Sequence, residues 1–149
     1  MNQETTEESN EESYIIVWLT GIVFLVAMAA IFLFVPTEQT EGPVQRIMYI
    51  HIPSAWLSFF AFFIVFICSI LFLWKKEREW DIYAHASAEI GVIFCSLVLI
   101  TGPIWAKPIW GTWWVWDARL TSTLILWLIY VAYLMLRAQT DAGSMRARY

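Results

Sequence analysis

Apolar positions along this chain fall into four long runs separated by short polar stretches. Tyr14 to Val35, Ile52 to Trp74, Ile82 to Gly102 and Leu120 to Leu136 are almost free of formal charge, the third being interrupted by His85 and Glu89. Each approaches the roughly 20 residues a helix needs to cross about 30 Å of hydrocarbon, the fourth being the shortest. Helices satisfy their own backbone hydrogen bonds in lipid. The pattern therefore predicts an all-α, polytopic integral membrane bundle with transmembrane helices over about 14–35, 52–74, 82–102 and 120–136. Pro36 ends the first run, and Pro53 sits at the start of the second, where a missing N–H is harmless. His51 is expected just outside that helix. The loop Lys75-Lys-Glu-Arg-Glu79 is short, which predicts antiparallel packing of the second and third helices. Gly102-Pro103 reads as the stop of the third.

Composition agrees with this class. Of 149 residues 60% are hydrophobic and 17% aromatic, and the mean hydropathy of +0.61 exceeds that of ordinary soluble domains. Residues 1–13 hold Glu4, Glu7, Glu8, Glu11 and Glu12 without one basic residue, and are expected to form a disordered, acidic leader. With no basic n-region before the first apolar run, this is not a cleaved secretory signal. Basic residues sort by loop. Lys75, Lys76 and Arg78 lie between the second and third runs, and Arg137, Arg146 and Arg148 follow the fourth; only Arg46, Lys107 and Arg119 fall on the other side. The positive-inside rule then places both termini in the cytoplasm, with residues 138–149 as a cytoplasmic tail. Two segments remain for the outer face, Pro36 to His51 and Pro103 to Arg119.

Candidate chemistry concentrates in the second of these. Trp105, Trp110, Trp113, Trp114 and Trp116 are followed at once by Asp117 and Arg119. Indoles at a membrane surface can serve as interfacial anchors, or they can form a platform for a flat ligand. Spacings of three and four put Trp110, Trp113 and Trp114 on one side if the stretch is helical. Arg119 or Lys107 would then meet a ligand's carboxylates, while Asp117 pairs with Arg119 or caps the fourth helix. His51 shares that face, and a neutral imidazole there can ligate a metal. His85 lies a membrane's thickness away and is expected to pair with Glu89 one turn later. Cys68 and Cys95 stand singly in apolar runs and read as buried filler. No C-x-x-C pair, Walker A loop, G-x-G-x-x-G, H-E-x-x-H or nucleophile elbow is present.

The segment Trp110-Gly-Thr-Trp-Trp-Val-Trp-Asp-Ala-Arg-Leu-Thr-Ser122 resembles the tryptophan-rich "WWD" signature of haem-handling proteins in cytochrome c biogenesis. Its Ala118-Arg119-Leu120-Thr121 continuation is similar to the CcmC branch, whereas CcmF and CcsA haem lyases tend to read Pro-Lys-Glu there. Tyr49-Ile-His51-Ile-Pro53-Ser-Ala-Trp56 and Thr101-Gly-Pro-Ile-Trp-Ala-Lys-Pro108 also resemble CcmC, so the likeness spans about Arg46 to Arg137 and leaves out the acidic leader.

The resemblance implies a haem-binding membrane protein of system I cytochrome c maturation that is not itself an enzyme. It would sit in the inner (plasma) membrane among lipid and hold b-type, non-covalent haem at the outer, periplasmic face. Its implied partners are the haem chaperone CcmE and the transporter subunits CcmA and CcmB; nucleic acid is not among them. His51 matches an axial ligand to the haem iron, and Trp105, Trp110, Trp113, Trp114, Trp116, Asp117 and Arg119 fall in the haem-platform segment. CcmC proteins carry six helices and a second axial histidine after the fifth. This sequence ends at Tyr149, which leaves a second polypeptide, a second copy or a truncated product to account for that ligand. Two rival readings stand beside this one: a non-haem membrane scaffold anchored by its tryptophans, and a transmembrane haem lyase.

Overall fold

The computed structural model describes residues 3–139, and among these the backbone is helical apart from short connections. Contacts divide the chain into two units, one up to Arg46 and one from Ile47 onward. Among the described residues four stretches are long and apolar enough to cross a membrane: Ser13–Phe34, Pro43–Lys75, Arg78–Trp110 and Ala118–Gln139.

In the first unit, helix α1 (Gln3–Ala29) passes into a wider π turn, Ala30–Phe34. The helix therefore starts well before the apolar run. The acidic segment expected as a disordered leader is helical from Gln3. Beyond Pro36 the chain turns tightly around Glu38, whose carboxylate accepts the backbone N–H groups of Thr40, at 2.7 Å, and Glu41. The Glu41 N–H, foremost among these donors, holds the Glu38 carboxyl below the usual range. Arg46 Nη2 donates to the Val35 carbonyl across this loop, at 3.1 Å.

The second unit comprises α2 (Met48–Lys75), α3 (Arg78–Trp110) and α4 (Ala118–Gln139). Only Lys76 and Glu77 separate α2 from α3, and Lys76 takes the left-handed conformation that turns the chain back, φ 59°. Two boundaries differ from expectation. A short 3₁₀ segment, Pro43–Ile47, leads straight into α2, so His51 lies in its first turn and Pro53 lies inside it. Nor does Gly102-Pro103 stop α3, which continues through Pro103 and Pro108 to Trp110. Each proline removes one backbone bond, a loss that neighbouring side chains and local adjustment can absorb in a membrane helix. The stop is Gly111, whose φ of 75° is a conformation glycine adopts freely.

Small side chains let α2 and α3 approach closely. Ala84, Ala88, Gly91 and Cys95 recur on α3 at helical spacing and face Ser54, Ser58, Ala61, Val65 and Cys68 of α2, all of them buried. This is how membrane helices gain packing without a hydrophobic drive between them. Both cysteines are buried and free. Ser58 Oγ donates to the Gly91 carbonyl at 3.2 Å. A Cβ on Gly91 would come within 2.5 Å of the Phe62 ring, and that ring is itself stacked on Tyr130 with centroids 4.0 Å apart.

Helix α4 is tied to α3 at two levels. Trp127 Nε1 donates to Ser96 Oγ at 2.8 Å. At the end bearing the α2–α3 loop, Arg137 grips Asp81 through two parallel hydrogen bonds, and Tyr133 lies beside the guanidinium. Arg137 is buried to 6% exposure. Asp81 occupies the first turn of α3 and Arg137 the last turn of α4, so each charge also suits its helix dipole. His85 Nε2 lies 3.6 Å from Glu89, the pairing expected of it. The tail expected over 138–149 lies, from residue 140 on, outside the described residues.

Two stability predictions follow from these contacts, both read from unfolding of the detergent-solubilised protein. Asp81→Asn or Arg137→Met alone should destabilise by about 3–5 kcal/mol, and the apolar double replacement Asp81→Leu/Arg137→Met should recover most of that loss. Gly91→Ala should cost about 1–3 kcal/mol through overpacking against Phe62, with partial relief when Phe62→Leu is added.

Candidate functional site

At the end of the second unit away from the α2–α3 loop, a cavity of about 400 Å³ opens between the helices. Its volume falls within the range of small-molecule sites. One wall is the first two turns of α2, including Met48, His51, Ile52 and Ala55; another is the C-terminal part of α3 from Val98 to Trp110. The third comes from the linker between α3 and α4 with the start of α4, through Trp113, Trp114, Arg119 and Leu120. Most of this lining is apolar and aromatic.

Continuation of α3 past Pro103 decides how the tryptophans are held. Trp105 and Trp110 belong to the helix, with rings 4.9 Å apart and nearly perpendicular at 84°. Trp113, Trp114 and Trp116 lie beyond it, in the linker 111–117, which has no regular secondary structure. The expectation of one helical face for Trp110, Trp113 and Trp114 is therefore corrected, because Gly111 interrupts the helix. The linker is nonetheless braced. Lys107 Nζ donates to the Gly111 carbonyl at 2.9 Å and sits over the Trp113 ring, 6.0 Å from its centroid. Thr112 Oγ1 donates to the Trp114 carbonyl at 3.0 Å and accepts the Trp114 N–H at 3.4 Å.

Of the residues singled out from the sequence, His51, Trp105, Trp110, Trp113, Trp114 and Arg119 line the cavity. Trp116 and Asp117 are not among the lining residues. Trp116 is 75% exposed, with its ring set edge-on to Trp114 at 5.7 Å. Asp117 caps α4: its Oδ1 accepts the Leu120 N–H at 2.7 Å, and its carbonyl accepts the Thr121 N–H at 3.0 Å. Arg119, 3.5 Å from Asp117, stays largely exposed at the mouth, with its guanidinium 5.9 Å from the Trp110 centroid.

Two polar features were missed in the sequence. Thr101, in the apolar body of α3, has its hydroxyl 2.8 Å from His51 Nδ1. A hydroxyl in a membrane helix was the available signal, since such groups bond across helices. The second is the Trp114 indole N–H, buried and without a partner. A buried donor left unpaired costs free energy unless a ligand supplies the acceptor. Sequence could not have located it, since it depends on how the linker folds.

The cavity thus combines flat aromatic walls, one imidazole and a guanidinium at its mouth. That set suits a flat, largely apolar molecule with a central metal and acceptor groups at its edge. His85 cannot join His51 on one metal. Thr101, which touches His51, lies sixteen residues further along α3 than His85, about 24 Å at 1.5 Å per residue. Among the described residues no group of three or more His, Cys, Asp or Glu side chains could hold a metal ion.

Comparison with known proteins agrees with the motif reading. The sequence profile described as Heme exporter protein C matches residues 2–149, so the likeness reaches well beyond Arg46 to Arg137 and takes in the acidic segment. The Heme exporter protein C of Bradyrhizobium diazoefficiens is 43% identical over 113 residues, covering 76% of this chain and 43% of that protein. Its counterpart in Haemophilus influenzae is 39% identical over 131 residues, 88% of this chain and 53% of that protein. That of Escherichia coli K12 is 36% identical over 138 residues, 91% and 56%. The chain spans about half the length of the curated relatives it matches.

The cap on α4 yields a structural prediction. Asp117→Ala should cost about 0.5–2 kcal/mol and speed amide exchange through the linker and the first turn of α4, measured by hydrogen–deuterium exchange. Unchanged exchange at Leu120 would mean that the carboxylate does not hold the linker.

Proposed function

This chain belongs to the Heme exporter protein C (CcmC) family, and on that premise we propose that it binds haem as part of cytochrome c maturation. The observation that carries the reading is that one cavity gathers an imidazole, five indoles (Trp56 of α2 beside Trp105, Trp110, Trp113 and Trp114) and a guanidinium. Haem is the cargo. It is flat and largely apolar, with a metal at its centre and two carboxylates at one edge. Held non-covalently as b-type haem, it would meet the His51 ring nitrogen through its iron and the indoles of Trp105, Trp110, Trp113 and Trp114 through its faces. Arg119, a charge near water at the mouth, is the group suited to its carboxylates. Asp117 acts indirectly, by fixing the linker that carries three of the tryptophans. Trp116, turned outward, is the anchor among the five of the tryptophan-rich segment.

The orientation we infer has the cavity on the outer, periplasmic face of the inner membrane and both termini in the cytoplasm. Support comes from charge: Lys75, Lys76, Arg78 and Arg137 cluster at the end of the helices opposite the cavity. In this reading the protein accepts haem from the side of the transporter subunits CcmA and CcmB and passes it to the chaperone CcmE. It holds and hands over cargo and forms no bond to the cytochrome. His51 supplies one face of the iron, and the other is filled from outside the residues described.

Reconstitution with haem in detergent tests this. The protein should develop a Soret band. His51→Ala should weaken binding at least tenfold, while Arg119→Gln, which deletes the charge at the mouth, should weaken it about tenfold, as for one charge-assisted hydrogen bond of about 1.5 kcal/mol. A protein that stays colourless would instead favour the scaffold reading, in which the tryptophans only anchor or dock.

A further inference from the structure

The His51 imidazole is fixed from one side only. Its Nδ1 lies 2.8 Å from Thr101 Oγ1, and the same hydroxyl oxygen lies 2.6 Å from the Leu97 carbonyl one turn back in α3. A threonine hydroxyl has one proton to give. Two oxygens at 2.6 Å need that proton between them, so it goes to Leu97. The Thr101 oxygen then has only lone pairs to offer His51, and the 2.8 Å contact requires Nδ1 to carry the hydrogen. In the neutral ring this leaves Nε2 with an unprotonated lone pair, on a residue that lines the cavity.

Gly102, the next residue of α3, presents no side chain to His51, and a Cβ there would stand 3.4 Å from His51 Cε1. The ring therefore lies beside α3 at Thr101 and Gly102, while its own backbone belongs to α2. Close packing of the two helices through Gly91 and Ala88 brings these parts within bonding distance.

We propose that Thr101 is a positioning residue for His51: by accepting the Nδ1–H bond it selects the tautomer that offers Nε2 to the iron of the cargo and holds the ring in place. The inference rests on the haem reading above for its consequence but not for its geometry. Metal-ligating histidines commonly donate their other ring N–H to such an outer partner, and loss of that partner typically lowers metal affinity 10–100-fold.

Nitrogen-15 spectra of histidine-labelled protein in detergent, without haem and at mildly alkaline pH, examine the tautomer directly. The chain has two histidines, and a His85→Gln variant assigns them. The expected result is Nδ1–H for His51 in the unaltered chain, loss of that single form in Thr101→Val, and its return in Thr101→Ser. An Nε2–H form in the unaltered chain, or a tautomer indifferent to Thr101→Val, overturns the proposal. Titration with ferric haem supplies the second arm. Thr101→Val should bind 10–100-fold more weakly, Thr101→Ser should stay within about threefold of the unaltered chain, and Thr101→Val should add nothing in a His51→Ala background. Equal affinity of Thr101→Val where His51→Ala is impaired also overturns it. If His51→Ala itself binds normally, the iron-ligand assignment fails, and the spectra still decide whether Thr101 sets the tautomer.

Discussion

Close contact between α2 and α3 is the constraint on which the other features of the second unit depend. Lipid offers no hydrophobic drive for two apolar helices to associate, so the pair relies on shape and on hydrogen bonds that cannot be made to solvent. Gly91 and Ala88 allow the backbones near enough for Ser58 to reach a carbonyl on the other helix. The same approach, two to three turns further along, lets an imidazole on α2 meet a hydroxyl on α3. One small-residue seam thus serves packing in the middle and geometry at the end. The Asp81–Arg137 pair then closes the opposite end by adding α4. The cavity lies where these three helices are no longer held by small residues and large aromatic ones take over.

Much of this was legible in the chain. Four apolar runs, the short basic loop and the placement of His51 beside the tryptophan segment all follow from patterns that lipid imposes on any spanning helix. The misreading that matters most for the site has one cause. Gly102-Pro103 is a strong stop signal for helices in water, where a freed carbonyl is readily solvated and the chain can turn away. Within a packed membrane helix that escape is absent, and α3 runs on to the glycine whose positive φ does end it. The shift of boundary moved Trp105 and Trp110 from loop to helix and left Trp113, Trp114 and Trp116 in the linker. Thr101 went unnoticed for a related reason: its partner is fifty positions away in the chain, and no local pattern reports a contact made across helices.

The tryptophans, alike in sequence, divide by environment. Two are set by helical geometry and by each other, two are held by the braced linker, and one faces outward. Aromatic clusters at membrane surfaces are usually read as anchors. Here a single short stretch supplies both cavity wall and one outward-facing indole, and Asp117 follows it at the start it caps on α4. Arg119, two positions on, is thereby placed near the Trp110 ring with its charge still in reach of water.

The length of α3 has a further consequence. Its 33 residues measure about 50 Å at 1.5 Å per residue, against a hydrocarbon layer of about 30 Å. A helix that long must tilt or, standing upright, carry its ends beyond the hydrocarbon. The last two turns, past Pro103, bear Trp105 and Trp110, so these two indoles ride on a helical frame and not on a loose loop.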